Sequence, residues 1–170
     1  MNDGPRYYGK YRATVINNLD PENRGRVQVQ LADRFGTFPS TWALPAFQMA
    51  AVQCGMVALP PVHATVWIEF EAGDPDFPIW SGGFFESPAE MPAMVQAGAT
   101  PATPNIVMQT VGQVTLMLSD NPAMNVMLKT LSGAMISIGE SGILISNGKG
   151  ASISMVGPSV IVNGGALTVT

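Results

Sequence analysis

Residues 143–170 read ILISNGKGASISMVGPSVIVNGGALTVT, and their spacing decides the fold of this part of the chain. Ile145, Ile153, Ile161 and Val169 fall eight residues apart. Between them lie short segments punctuated by Ser, Thr and Gly, with no helical period. Repetition at a fixed short interval is the signature of a stacked β architecture. One such repeat cannot bury its own apolar side and needs neighbours or other chains. Just upstream the interval is ten: Ile106, Leu116, Val126 and Ile136 form one series, and Met108, Leu118, Leu128 and Ile138 a second. After Gly142 the inward positions change from even to odd numbers. The pattern predicts an antiparallel β collar over 105–142 followed by a tighter β-helix over 143–170. The predicted apolar core is Ile106, Leu116, Val126, Ile136, Ile145, Ile153, Ile161 and Val169. An evenly spaced β-sandwich is the alternative. It would need large buried aromatics, and residues 105–170 contain no Phe, Tyr or Trp.

Charged residues make up 12% of the 170 residues, about half the usual share of roughly 25%. A chain with so little charge is expected to hide surface in an oligomer. Net charge is −4, which disfavours a nucleic-acid binder with a basic face. No apolar run approaches the ~20 residues of a membrane span. The amino-terminal stretch has no apolar signal region, so synthesis in the cytosol is expected. Cys54 is the only cysteine; it forms no internal disulfide and is expected to be a small packed residue.

Residues 1–88 carry alternating strand patterns: Tyr11–Ile16, Arg26–Leu31, Thr41–Pro45, Thr65–Phe70 and Pro78–Gly83. Five strands in so short a span, with no convincing helix, point to a small closed barrel, for which the OB-fold is the common solution. Residues 89–104 are rich in Pro and Ala and read as a linker.

Two blocks of the barrel carry a family likeness. Residues 17–29, NNLDPENRGRVQV, resemble the DPxxxGRVxV signature of the phage baseplate assembly protein V and VgrG family. Pro60-Pro61 and then residues 65–83, TVWIEFEAGDPDFPIWSGG, resemble its second conserved run, in the same order and at the same spacing. The tail from Gly142 to Thr170 is similar to the family's β-helix. His63-Ala64 departs from the pattern where many relatives have Gly, which predicts a local loop change.

The resemblance implies an all-β homotrimer with an OB-fold at the tube end and an intertwined β-helix needle. It implies a central spike of a contractile injection machine (phage tail, tailocin, extracellular injection system or type VI system) that contacts the target membrane mechanically. Expected partners are two further copies of the chain, tube-initiator or hub and baseplate proteins, and a PAAR-like tip protein. The tip protein is expected on Gly165, Ala166, Leu167, Thr168, Val169 and Thr170, where open strand edges invite pairing. Assembly in the bacterial cytoplasm as part of a tail-like particle, with release or delivery into a target envelope, is expected.

No catalytic residues, metal ligands or cofactor site are expected. Glu69 and Glu71, or Asp74 and Asp76, could mimic a catalytic pair, but a solvated strand face and a turn explain them. His63 is the only histidine, so no histidine cluster can form within one chain. The competing function is an OB-type binding module for single-stranded nucleic acid or glycan. Against it, residues 1–104 hold ten acidic and six basic residues, a poor balance for a phosphate-tracking groove. A cell-wall hydrolase is the third reading, and no catalytic motif supports it.

Overall fold

The computed structural model describes residues 4–169, with Thr168 and Val169 given by their backbone alone. The chain forms two units, Met1–Glu90 and Met91–Thr170.

The first unit is a five-stranded sheet closed on itself. Its strands are β1 (Tyr11–Asn17), β2 (Gln28–Gln30), β3 (Leu44–Pro45), β6 (Thr65–Phe70) and β7 (Pro78–Gly83), in the order β2-β1-β6-β7-β3. Closure comes from the residues flanking β2 and β3. Val27 N donates to Ala43 O at 3.1 Å and Ala43 N returns the bond to Val27 O at 2.8 Å. No open edge then remains between the first and last strands, as in an OB barrel. Alternation explains the core, since successive side chains in a strand point to opposite faces. Val66, Ile68 and Phe70 point inward with Val15, Val27 and Val29, and all are buried. Tyr7, Tyr11, Phe35 and Phe70 pack edge-on or tilted at one end of this core.

Two elements of this unit depart from the sequence reading. A one-turn helix, α1 (Ala32–Phe35), follows β2 and delivers Phe35 to the aromatic cluster. A hairpin of β4 (Ala50–Ala51) and β5 (Cys54–Gly55) projects between β3 and β6, fully exposed on both strands. Cys54 sits on it and, against the expectation of a packed residue, is exposed in the single chain. Among the described residues no helix is long and apolar enough to cross a membrane.

The second unit opens with residues that composition marks as linker. They carry local structure: a 3-10 turn over Ala93–Gln96, and the Asn105 amide donating to the carbonyls of Met94 and Ala97 at 3.1 and 2.9 Å. The eight strands that follow are β8 (Ile106–Gln109), β9 (Thr115–Leu118), β10 (Val126–Lys129), β11 (Met135–Gly139), β12 (Gly142–Ser146), β13 (Ser152–Val156), β14 (Ser159–Val162) and β15 (Leu167–Val169). They form one antiparallel sheet in chain order. β11 pairs with β12 across Gly139 and Gly142, so within one chain the sheet runs on through the expected collar–needle boundary. Gly142 permits this turn. Its φ is +142°, and a Cβ there would stand 2.0 Å from the Met155 carbonyl oxygen.

Candidate functional site

The register of the eight-stranded sheet sorts its side chains into two unlike faces. Directly paired residues share a face. One column runs Ile106, Leu118, Val126, Ile138, Ile143, Met155 and Val160. The next runs Met108, Leu116, Leu128, Ile136, Ile145, Ile153, Val162 and Leu167. Every member is aliphatic or Met. Twelve of them stand among the exposed large hydrophobics of the chain, from Ile106 at 64% to Val160 at 36%. Fully burying such a side chain is worth about 1.5–3 kcal/mol, so covering these partly exposed ones would contribute about 8–16 kcal/mol per chain. That is comparable to the whole stability of an ordinary domain, about 5–15 kcal/mol. Monomers do not usually leave such a face to water. On the reverse face Met117 and Met127 are buried, while Ser137, Ser154 and Lys129 also lie there by register.

Seven of the eight residues expected to form the core fall in these two columns by backbone pairing, Val169 through its pairing with Val160. Ile161 does not. It pairs with Ser154 and Thr168, on the reverse face. The cause is turn length. Val156 pairs with Ser159 across the two-residue turn Gly157-Pro158, and pairing an even with an odd residue shifts the inward set from odd to even numbers. Val160 and Val162 therefore take the place that the eight-residue count assigns to Ile161. The same parity change at Gly139–Gly142, which the sequence does reveal, produces the earlier shift. The ten-residue series also divides differently: Ile106 pairs with Leu118 rather than aligning with Leu116, because successive strands are antiparallel.

Of the residues expected to hold a tip protein, Gly165 closes a 3-10 turn, Ala166 and Leu167 are exposed, and Thr168 and Val169 continue β15. Thr170 lies outside the described residues.

In the first unit the DPENRGR block builds a locked loop. Asp20 is buried. Its carboxylate accepts from the backbone N–H groups of Glu22, Arg24 and Arg26 at 3.0, 2.8 and 3.2 Å. It also accepts from Arg26 Nε and Nη2 at 3.0 and 2.7 Å. The Arg26 guanidinium, with the backbone donors behind it, holds the Asp20 carboxyl far below the usual carboxylate range. Gly25 sits at φ +77°, and a Cβ there would meet Phe47 Cζ at 2.9 Å. The Gly25 carbonyl accepts from Trp80 Nε1 at 3.1 Å. The spacing Asp-Pro-x-x-x-Gly-Arg is thus a folding device: one carboxylate organises the loop that carries its own arginine.

The acidic pairs have structural partners as well. Glu69 pairs with Lys10, and Asp74 pairs with Arg6 at 3.0 Å. Asp74 Oδ1 also accepts from Asp76 N at 3.2 Å within the β6–β7 connection. Glu71 begins a 3-10 turn after β6 ends, so it does not share a strand face with Glu69. His63 has φ +73°, a conformation that Gly adopts freely. A glycine could take this backbone shape without strain. Among the described residues no group of His, Cys, Asp and Glu could hold a metal ion.

Two family comparisons match this architecture. Residues 11–85 match the type VI secretion system/phage-baseplate injector OB domain. Residues 105–168 match the phage baseplate V C-terminal trimerisation domain. No curated protein sequence matches the chain. A closed OB barrel followed by an apolar-faced trimerisation sheet defines a structural spike component of a phage tail-like baseplate. The chain belongs to the phage baseplate V family, the group that includes VgrG-like spikes. Both matched domains are structural rather than enzymatic.

Proposed function

We propose that three copies of this chain form the central spike at the tube tip of a contractile injection machine, and that the spike transmits contraction force to breach a target envelope. The apolar face of the β8–β15 sheet carries the reading. Three such faces turned toward one axis would bury what a single chain exposes, and the three chains would intertwine there as a β-helix over 143–170. Axial load would then be shared between backbone hydrogen bonds in every strand and apolar contacts along the axis. The OB unit would face the tube-initiator or hub and baseplate proteins. Residues 165–170 would seat a PAAR-like tip protein, and delivery would carry the spike into the target envelope.

Light scattering coupled to size exclusion tests the assembly: a trimer is expected, and a monomer at micromolar concentration would overturn it. Removal of residues 165–170 is expected to leave the trimer intact and abolish binding of a purified tip protein. Unchanged tip affinity would reject that assignment while leaving the spike standing.

A further inference from the structure

Residues 35–68 contain no Asp, Glu, Lys or Arg, and much of this stretch is on the surface. The β4–β5 hairpin is its most exposed part. It consists of two paired residues on each strand, Ala50–Gly55 and Ala51–Cys54, extended by Met56 N donating to Met49 O at 3.0 Å. Its tip, Val52, is 94% exposed, with Met49 and Met56 exposed at the base. An isolated two-stranded hairpin is marginal in water and needs packing to persist. Here both strands are exposed in the single chain.

The same unit has a cleft of about 420 Å3, lined by Leu19, Gly25, Phe47, Val57 and Leu59 together with Asn18, Asp20, Asn23 and Arg24. Leu19 is 83% and Val57 70% exposed. The two charged residues of the lining already have partners: Asp20 is bonded by Arg26, and Arg24 pairs with Glu22 at 3.2 Å. The cleft is therefore suited to an uncharged apolar side chain.

We infer that in the trimer the hairpin tip of each OB unit, led by Val52, docks into the Leu19–Val57–Leu59 cleft of the next copy. This rests on the trimeric reading above. A ring of three identical subunits joins unlike patches, a projection on one subunit to a recess on its neighbour, and this unit carries one of each. Because the trimerisation domain of the same chain holds the copies together, a neighbouring OB unit is present at an effective concentration in the millimolar range. At that concentration a contact worth about 4 kcal/mol is half populated, which asks the tip to bury Val52 together with part of its flanks. The hairpin is thus a clasp between OB units, separate from the apolar axis of the second unit.

The test uses the full chain with Cys54→Ser, Val52→Cys and Leu19→Cys, oxidised and run denatured without reductant. Docking predicts intermolecular disulfides that end in a covalent trimer, because each chain carries one partner for each neighbour. Cys54→Ser with either new cysteine alone should give no covalent trimer. A chain that is trimeric by light scattering but stays monomeric on the denaturing gel overturns the clasp and leaves the spike reading intact. A chain that is monomeric by light scattering overturns both. As a second readout, native Cys54, which is exposed in the single chain, should be alkylated at least tenfold faster in a Val52→Asp trimer than in the unmodified trimer. Equal rates would also overturn the clasp.

Discussion

Neighbouring residues Ile161 and Val162 give the sharpest test of the sheet register. Counting in eights makes Ile161 the core residue. Strand pairing makes it Val162, opposite Ile153 and Leu167, with Ile161 opposite Ser154. Val162→Asp would remove an aliphatic side chain worth about 1.5–3 kcal/mol when fully buried. It would also place a carboxylate in an apolar interface, where the effective penalty is several kcal/mol per ion. Three copies near one axis bring the cost above about 10 kcal/mol, enough to cancel the association. Ile161→Asp loses only part of an aliphatic contact on the mixed face. A cost of about 1–2 kcal/mol corresponds to a fall in melting temperature of roughly 4–16 °C for a domain of this size. Size exclusion with light scattering, followed by thermal melting, separates the two. Val162→Asp should yield monomer or aggregate, and Ile161→Asp a trimer that melts lower. A trimeric Val162→Asp protein of normal heat resistance, beside a dissociated Ile161→Asp protein, would refute the register and restore the simple count.

Other substitutions probe the two units separately. Asp20→Asn keeps the side-chain size but offers one acceptor oxygen where the carboxylate offers two, so the OB unit should unfold at lower denaturant concentration. Because the Asp20 pKa is depressed on folding, its contribution is complete above the unfolded carboxylate value of about 3.9 and fades as pH falls below it. The unmodified protein should therefore lose stability more steeply than Asp20→Asn on acidification, and equal slopes in denaturant titrations from pH 6 to pH 2 would contradict this. Gly142→Ala should disrupt the β11–β12 turn, because a Cβ at φ +142° meets the Met155 carbonyl oxygen; hydrogen exchange in β11 to β13 should rise sharply. His63→Gly should raise the OB unit's stability by up to about 1 kcal/mol, and His63→Val should lower it by a similar amount, since a β-branched residue tolerates positive φ poorly. Chemical denaturation of both variants checks the order.

Strands with clean alternation are legible in the sequence alone. Thr65–Phe70 and Pro78–Gly83 have the boundaries that their patterns predict, because one buried face leaves a period of two in the chain. The shift of the inward face at Gly139–Gly142 was legible for the same reason, since both flanking strands alternate. Val160-Ile161-Val162 was not. Three β-branched residues in a row carry no alternation, and the face each takes is decided by the two-residue turn before them, one residue of which reverses every side chain downstream. The β4–β5 hairpin escaped because its apolar residues have no packing partner inside the chain, so no periodicity marks it. The turn at Ala93–Gln96 escaped because part of its support comes from outside it, the Asn105 amide bonding the Met94 and Ala97 carbonyls. In the DPENRGR loop the motif was visible as a likeness, but its physical purpose was not. That required seeing one carboxylate accept five hydrogen bonds.

The strands of the second unit stand in the sheet in the order in which they occur in the chain, each hydrogen-bonded to its predecessor and successor. Length in such a sheet is an adjustable quantity, counted in strand pairs. Inserting or removing two adjacent strands restores the running direction, and if the turn parities also match, the same aliphatic face continues past the splice. Gene-level gain or loss of whole hairpins could therefore lengthen or shorten this domain in steps without redesigning its interior. A splice that changes parity by one would instead turn every later residue inside out.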